Sequence, residues 1–187
     1  MSYGITLDIW NESLRHSFVG ASRLRHFITG NLIYGAIGAL VTLAIIAAAG
    51  IFAFGFDIFS GGLFLAANMV FVFIFGAGIG MMIDALMVTK GSKYMAIIWI
   101  IPGLIMILSG VYYPAEMLPA GAFEFSMALP STHCISSLRA AISGMGSIAY
   151  SEFLIGAGLA VVFFLAGGLL FKHGLKKSRE SGVITKY

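Results

Sequence analysis

Four long stretches of this chain contain no Lys, Arg, Asp or Glu, and this feature constrains its fold more than any other. They run over residues 31–54, 58–83, 94–113 and 153–171. A transmembrane helix needs about 20 consecutive apolar residues, whereas the strands of a membrane barrel alternate between apolar and polar side chains. The pattern therefore predicts four spanning helices, at about 31–54, 58–84, 94–113 and 153–172.

The composition excludes most other classes of protein. Of the 187 residues, 59% are hydrophobic and 10% are charged, whereas a soluble domain carries about 25% charged residues. Too little polar surface remains for a soluble enzyme, a disordered chain or a nucleic-acid binder, so no nucleic acid is expected as a partner. We predict an all-α integral membrane protein whose partner is the lipid bilayer, with residues 1–187 forming a single membrane domain.

The distribution of basic residues predicts the orientation. Ten of the eleven Lys and Arg residues fall on one side of a four-span topology; they are Arg15, Arg23, Arg25, Lys90, Lys93, Lys172, Lys176, Lys177, Arg179 and Lys186. The opposite side carries Arg139 alone. Because cytoplasmic loops carry an excess of Lys and Arg, we expect the side with ten basic residues to face the cytoplasm. The chain is expected to be a multi-pass protein of the plasma membrane. Both termini, including the tail 173–187, should then be cytoplasmic.

Residues 5–19 are predicted to form an amphipathic helix at the cytoplasmic interface. Apolar residues recur at helical spacing and polar residues take the other side; the apolar set is Leu7, Trp10, Leu14 and Phe18, and the polar set is Asp8, Asn11, Glu12, Arg15 and His16. Such a helix lies in the plane of the membrane surface. The pattern alone leaves two roles open, a membrane-surface anchor or a docking helix for a cytosolic partner.

Residues 114–151 are too interrupted by proline to span the membrane, yet too apolar for a solvated loop. They contain Pro114, Pro119 and Pro130. We predict short re-entrant helices at the outer leaflet, the first opened by Pro119 and the second capped by Ser131 or Thr132. The second helix would carry His133, Ser137 and Arg139. His133 and Arg139 are expected to bind carbonyl oxygens and acidic groups within this outer segment.

Small and polar residues inside the spans suggest helix–helix contacts. Glycines cluster in spans two and four, at Gly76, Gly78, Gly80, Gly156, Gly158, Gly167 and Gly168. Glycine lets helices approach closely in lipid, but it is also simply frequent in membrane helices, and the sequence leaves both interpretations open. Asn68 is expected to form an interhelical hydrogen bond.

No catalytic or metal-binding set is visible. The chain has no Gly-x-x-x-x-Gly-Lys-Ser/Thr motif, so if the protein uses ATP, the nucleotide must bind another polypeptide. Ser131, His133 and Glu124 could be imagined as a hydrolytic triad, but no Gly-x-Ser-x-Gly motif accompanies them. We interpret their proximity in sequence as chance. The four histidines are scattered, and no metal site or cofactor on this chain is predicted.

Two proline-containing motifs carry a resemblance to a known family. They are Ser109-Gly110-Val111-Tyr112-Tyr113-Pro114, and Leu129-Pro130-Ser131-Thr132-His133 followed by Leu138-Arg139 and Gly144. Together with the order of helices they resemble the permease subunit of type-2 ABC transporters. The segment from Gly4 to Arg23 resembles the cytoplasmic coupling segment of that family. The resemblance also implies a family signature on the outer side of the membrane, here called the outer signature. Its residues in this chain are Pro114, Pro130, His133 and Arg139.

The resemblance implies a function. It implies a permease subunit of an ATP-driven exporter, paired with a separate ATPase that binds ATP and with a second permease subunit, as a homo- or heterodimer. The coupling helix would insert Trp10, Leu14 and Phe18 into a cleft of the ATPase, with Glu12 and Arg15 at its rim. Family members typically have six helices and this chain resembles the last four, so we expect the first two to be lacking.

The sequence also leaves alternatives to a transporting permease. The chain could be a non-transporting membrane scaffold or the remnant of a truncated permease. An intramembrane hydrolase is disfavoured because no catalytic set is visible.

Overall fold

The computed structural model describes residues 24–55, 62–90 and 96–180, and every element in these ranges is helical. The described residues form six α-helices and one 3-10 turn. In chain order they are α1 (Leu24–Phe54), α2 (Gly62–Lys90), α3 (Ile97–Leu108), the 3-10 turn (Ala115–Met117), α4 (Ala120–Met127), α5 (Pro130–Ile142) and α6 (Gly146–Glu180). The coupling segment 5–19 lies outside the described residues.

Three of these helices are long and apolar enough to cross a membrane, over Leu32–Ala53, Phe64–Lys90 and Gly146–Ser178. The prediction of an all-α, multi-pass membrane protein is confirmed. Within the region predicted as the third span, 94–113, the structure has the shorter helix α3 of 12 residues. It ends at Leu108 because the chain turns at Gly110, whose φ of +68° is a left-handed conformation that glycine adopts without strain.

The long helices differ from the predicted spans at their ends. Helix α2 continues past Asp84 to Lys90, and α6 begins at Gly146 instead of near 153 and continues to Glu180. The uncharged runs mark only the part of each helix that suits hydrocarbon. Charged residues such as Glu152 and Lys172 continue the same helices, since long polar side chains can reach the membrane interface.

The fold contains two compact units. The first comprises the described residues among Met1–Ile37, Gly76–Ile101 and Phe163–Tyr187, and the second comprises Gly38–Phe75 and Pro102–Val162. Helices α1, α2, α3 and α6 each contribute one part to each unit. The two units are described separately below.

The first unit is built on a close contact between α2 and α6. Its core is formed by seven buried residues: Met81, Ile83, Ala85, Met87, Val88, Phe171 and Leu175. A Cβ added at Gly167 would overlap the carbonyl oxygen of Gly78, and one added at Gly78 would come within 2.7 Å of the Phe163 carbonyl oxygen. Further along, the Ser178 hydroxyl donates to the Val88 carbonyl oxygen at 2.7 Å. Small residues therefore let the backbones of α2 and α6 pack closely, which is one of the two interpretations that the glycine pattern left open.

Helix α1 is packed differently from α2. None of its side chains over Leu32–Ala53 is buried within the described part of the protein. Large apolar side chains point outward along its length, among them Tyr34, Leu40, Ile45 and Phe52. An apolar surface of this kind is stable only in lipid or against another helix.

Candidate functional site

The second unit contains the outer signature, and helix α5 lies at its centre. Seven of the residues of α5 are buried; they are Pro130, Ser131, Thr132, His133, Cys134, Ser137 and Ala140. The predicted cap at Ser131 or Thr132 is wrong, because the N-cap is Leu129 and Pro130 occupies the first helical turn. Proline suits that position because its missing N–H is one that the helix would leave unpaired. The two hydroxyls are therefore available for other partners.

Those hydroxyls bind the end of α3 and helix α4. The Ser131 and Ser109 hydroxyls are 2.5 Å apart, and the Thr132 hydroxyl is 3.2 Å from that of Ser126. The Ser126 hydroxyl in turn donates to the Leu108 carbonyl oxygen at 2.7 Å. The last carbonyls of a helix have no partner within it, so the C-terminal end of α3 receives one of its donors from α4.

Arg139 supplies the next donor at the same end of α3. Its guanidinium donates to the Gly110 carbonyl oxygen at 2.6 Å and contacts the Tyr113 and Val111 carbonyl oxygens at 3.4 Å. A cation near the C-terminus of a helix is also favoured by the helix dipole. Arg139 therefore binds carbonyl oxygens, as predicted, but those of residues 110, 111 and 113, which precede the predicted outer segment 114–151.

His133 joins α5 to two other helices. Its Nδ1 atom lies 2.7 Å from Oε2 of Glu152 on α6, and its Nε2 atom lies 2.8 Å from the Met127 carbonyl oxygen at the end of α4. The His133 side chain is 8% exposed and that of Glu152 is 29% exposed. The prediction that His133 binds an acid and a carbonyl is confirmed, with Glu152 as the acid.

Helix α5 also binds α2 and packs directly on α6. The Ser137 hydroxyl donates to Oδ1 of Asn68 at 2.9 Å, and the Asn68 amide donates to the Phe64 carbonyl oxygen. This confirms the interhelical hydrogen bond predicted for Asn68. Near the start of α6, a Cβ added at Gly156 would come within 3.1 Å of the Cys134 sulfur. Burial raises the pKa of the Cys134 thiol to about 11.

The four residues of the predicted outer signature thus have different surroundings. Pro130, His133 and Arg139 share α5, whereas Pro114 is exposed and precedes the 3-10 turn. The coupling residues lie outside the described residues; they are Trp10, Glu12, Leu14, Arg15 and Phe18. Sequence reasoning missed the hydroxyl pairs of Ser109 with Ser131 and of Ser126 with Thr132. The adjacent hydroxyls of Ser131 and Thr132, next to an apolar run, were the signal in the sequence that could have indicated these buried pairs.

The arrangement does not resemble a hydrolytic site. Both ring nitrogens of His133 face Glu152 and Met127, so neither is directed at the Ser131 hydroxyl, which is next to Ser109. This agrees with the interpretation of Ser131, His133 and Glu124 as a chance grouping. Among the described residues, no group of three or more His, Cys, Asp or Glu side chains is placed to hold a metal ion.

A set of long apolar helices, with two short hydrogen-bonded helices before the last of them, defines a multi-pass helical membrane protein. The family model for the ABC-2 type transporter matches residues 5–143, and the chain belongs to this family. The match includes the segment 5–19 and all of α1 to α5. No curated protein and no solved structure matches the chain. The family is the membrane component of a transporter and is not itself catalytic.

Proposed function

We propose that this chain is the permease subunit of an ATP-driven exporter of the plasma membrane, with both termini in the cytoplasm. The observation that carries the proposal is the family match over 5–143, because it includes both the amphipathic segment and the outer helices. Permeases of this family normally pair with an ATPase subunit. ATP would bind that partner, since the chain has no Gly-x-x-x-x-Gly-Lys-Ser/Thr motif of its own.

The coupling step is assigned to residues 5–19. In an amphipathic helix, Trp10, Leu14 and Phe18 would share the apolar side and enter a cleft of the ATPase. Glu12 and Arg15 would contact its rim. Closure of the ATPase around ATP would then move this helix and, through it, the spans.

A second permease subunit would complete the transport path. Support for this comes from α1, whose side chains over Leu32–Ala53 are all at least partly exposed within the described part of the chain. An apolar helix with no buried face is suited to contact with a second copy or a related subunit as well as with lipid.

Substitutions on the two faces of residues 5–19 test the proposal. Trp10→Asp and Leu14→Asp would each place a carboxylate in an apolar cleft, where it loses hydration without gaining a partner. We expect both variants to insert normally into the membrane but to lose copurification of a co-expressed ATPase. Asn11→Asp, which adds the same charge to the polar face, is the matched control and should keep it. Copurification of the ATPase with Trp10→Asp at wild-type yield would contradict the coupling role.

A further inference from the structure

The imidazole of His133 faces two oxygen atoms that act as hydrogen-bond acceptors. One is the Met127 carbonyl oxygen, 2.8 Å from Nε2, and the other is Oε2 of Glu152, 2.7 Å from Nδ1. A carbonyl oxygen can only accept, and so can an ionised carboxylate. A neutral imidazole carries one N–H and one lone pair. It can therefore satisfy one of these two oxygens and not both.

We propose that His133 and Glu152 form a proton-binding site, and that the bound proton holds α5 against α4 and α6. The Nε2 proton is donated to Met127, and the additional proton lies between Nδ1 and Oε2. Loss of that proton leaves a lone pair of Nδ1 opposite the carboxylate. If the remaining proton moves to Nδ1, the lone pair faces the Met127 carbonyl oxygen instead. In either tautomer a hydrogen bond is replaced by a repulsive contact.

The two partners of the pair differ in their exposure. Glu152 is 29% exposed, while the ring that it contacts is 8% exposed. We therefore place exchange of the proton at the carboxylate, which is the more exposed partner of the pair.

The elements around α5 carry few other titratable or charged groups. On the elements packed around α5 they are Tyr150 on α6, Glu124 on α4, and Tyr112, Tyr113 and Glu116 after α3; on α5 itself they are Arg139 and Cys134. Arg139 is bonded to the Gly110 carbonyl oxygen. The part of α2 in this unit, from Gly62 to Phe75, carries no titratable side chain. Of the charged groups around α5, Glu152 is the one bonded to the imidazole.

Cys134 provides a reporter for movement of α5. It is the one cysteine in the sequence, follows His133 directly, and is fully buried against α6 at Gly156. Separation of α5 from α6 would expose its sulfur to a small maleimide. Labelling of the native thiol therefore measures whether this contact is closed.

The test compares wild type with Glu152→Gln, each as the full chain in membranes, from about pH 5.5 to about pH 8.5. The side-chain amide introduced by this substitution can donate to Nδ1 while neutral His133 donates to Met127, so the variant needs no additional proton. The ionisation of the thiol affects both proteins alike and cancels in the ratio of their rates. We expect the wild-type rate of Cys134 labelling, relative to the variant, to rise about tenfold across this range, as loss of a charge-assisted hydrogen bond would produce.

A ratio that stays constant with pH would overturn the proposal, as would a variant labelled faster than wild type at acidic pH. A second measurement needs no substitution. Hydrogen exchange of the α5 amides in wild type, corrected for its intrinsic pH dependence, should accelerate at alkaline pH while exchange within 157–171 of α6 does not. Equal protection of α5 at both pH values would overturn the proposal even if Glu152→Gln failed to fold.

Discussion

Gly78 of α2 and Gly167 of α6 pack backbone against backbone, so closely that a methyl group on Gly167 would overlap the Gly78 carbonyl oxygen. The adjacent glycine, Gly168, has nothing within 4 Å of the position its Cβ would occupy. Two neighbouring glycines of one helix therefore have opposite requirements. The close contact with α2 requires glycine at position 167 but not at position 168.

This contrast predicts the effect of alanine substitutions. Gly167→Ala should force α2 and α6 apart and reduce the free energy of unfolding by about 1–3 kcal/mol, as overpacking usually does. Gly168→Ala should be neutral or slightly stabilising, because alanine favours a helix by up to about 1 kcal/mol over glycine. Thermal unfolding of both variants in the same detergent measures the difference. Equal melting temperatures would show that the contact at Gly78 is not required.

Arg139 should matter for the C-terminal end of α3. Arg139→Met removes the donor to the buried Gly110 carbonyl oxygen, and we expect a loss of about 1–3 kcal/mol in the free energy of unfolding. Arg139→Lys should recover part of it, because an ammonium can reach one carbonyl but lacks the fork of donors that contacts three. Faster hydrogen exchange at 110–113 would locate the effect.

The control for Arg139 is Lys172→Met, which also removes one positive charge but from an exposed position of α6. It should leave both stability and exchange at 110–113 unchanged. If the two methionine variants behaved alike, net charge rather than the bond to Gly110 would explain the loss.

The predicted orientation can be measured at two exposed residues, Lys90 and Glu116. In a Cys134→Ala background, a membrane-impermeant maleimide added to intact cells should label Glu116→Cys and not Lys90→Cys. The reason is the excess of Lys and Arg on the side of Lys90. Permeabilised cells serve as the control, in which both positions should react. Labelling of position 90 in intact cells would reverse the topology.

Much of the fold could be predicted because its signals are local. Uncharged runs indicated the long helices, Pro119 indicated the start of α4, and the polar character of His133 and Arg139 indicated that they bind carbonyls and acids. The pairing of partners could not be predicted in this way. Ser109 and Ser131 are 22 residues apart, and Ser137 and Asn68 are 69 apart, so nothing in either neighbourhood specifies the contact.

Two further features depended on three-dimensional placement. Glu124 and Glu152 are both acids of the outer region, and the structure, not the sequence, selects Glu152 as the partner of His133. The glycines of α6 also look alike in the sequence, although Gly167 meets a carbonyl oxygen and Gly168 meets open space. Their difference is set by which face of α6 is turned toward α2.

The donors at the C-terminal end of α3 have a consequence for the match between this protein and its bilayer. Twelve helical residues cover about 18 Å, whereas the hydrocarbon layer is about 30 Å thick. Ser126 and Arg139 donate to the Leu108 and Gly110 carbonyl oxygens, so these two groups at the end of α3 need no hydrogen bond from a headgroup or from water. Lipids with longer or shorter acyl chains should therefore act first on this short helix and its bonded partners, before the three long helices.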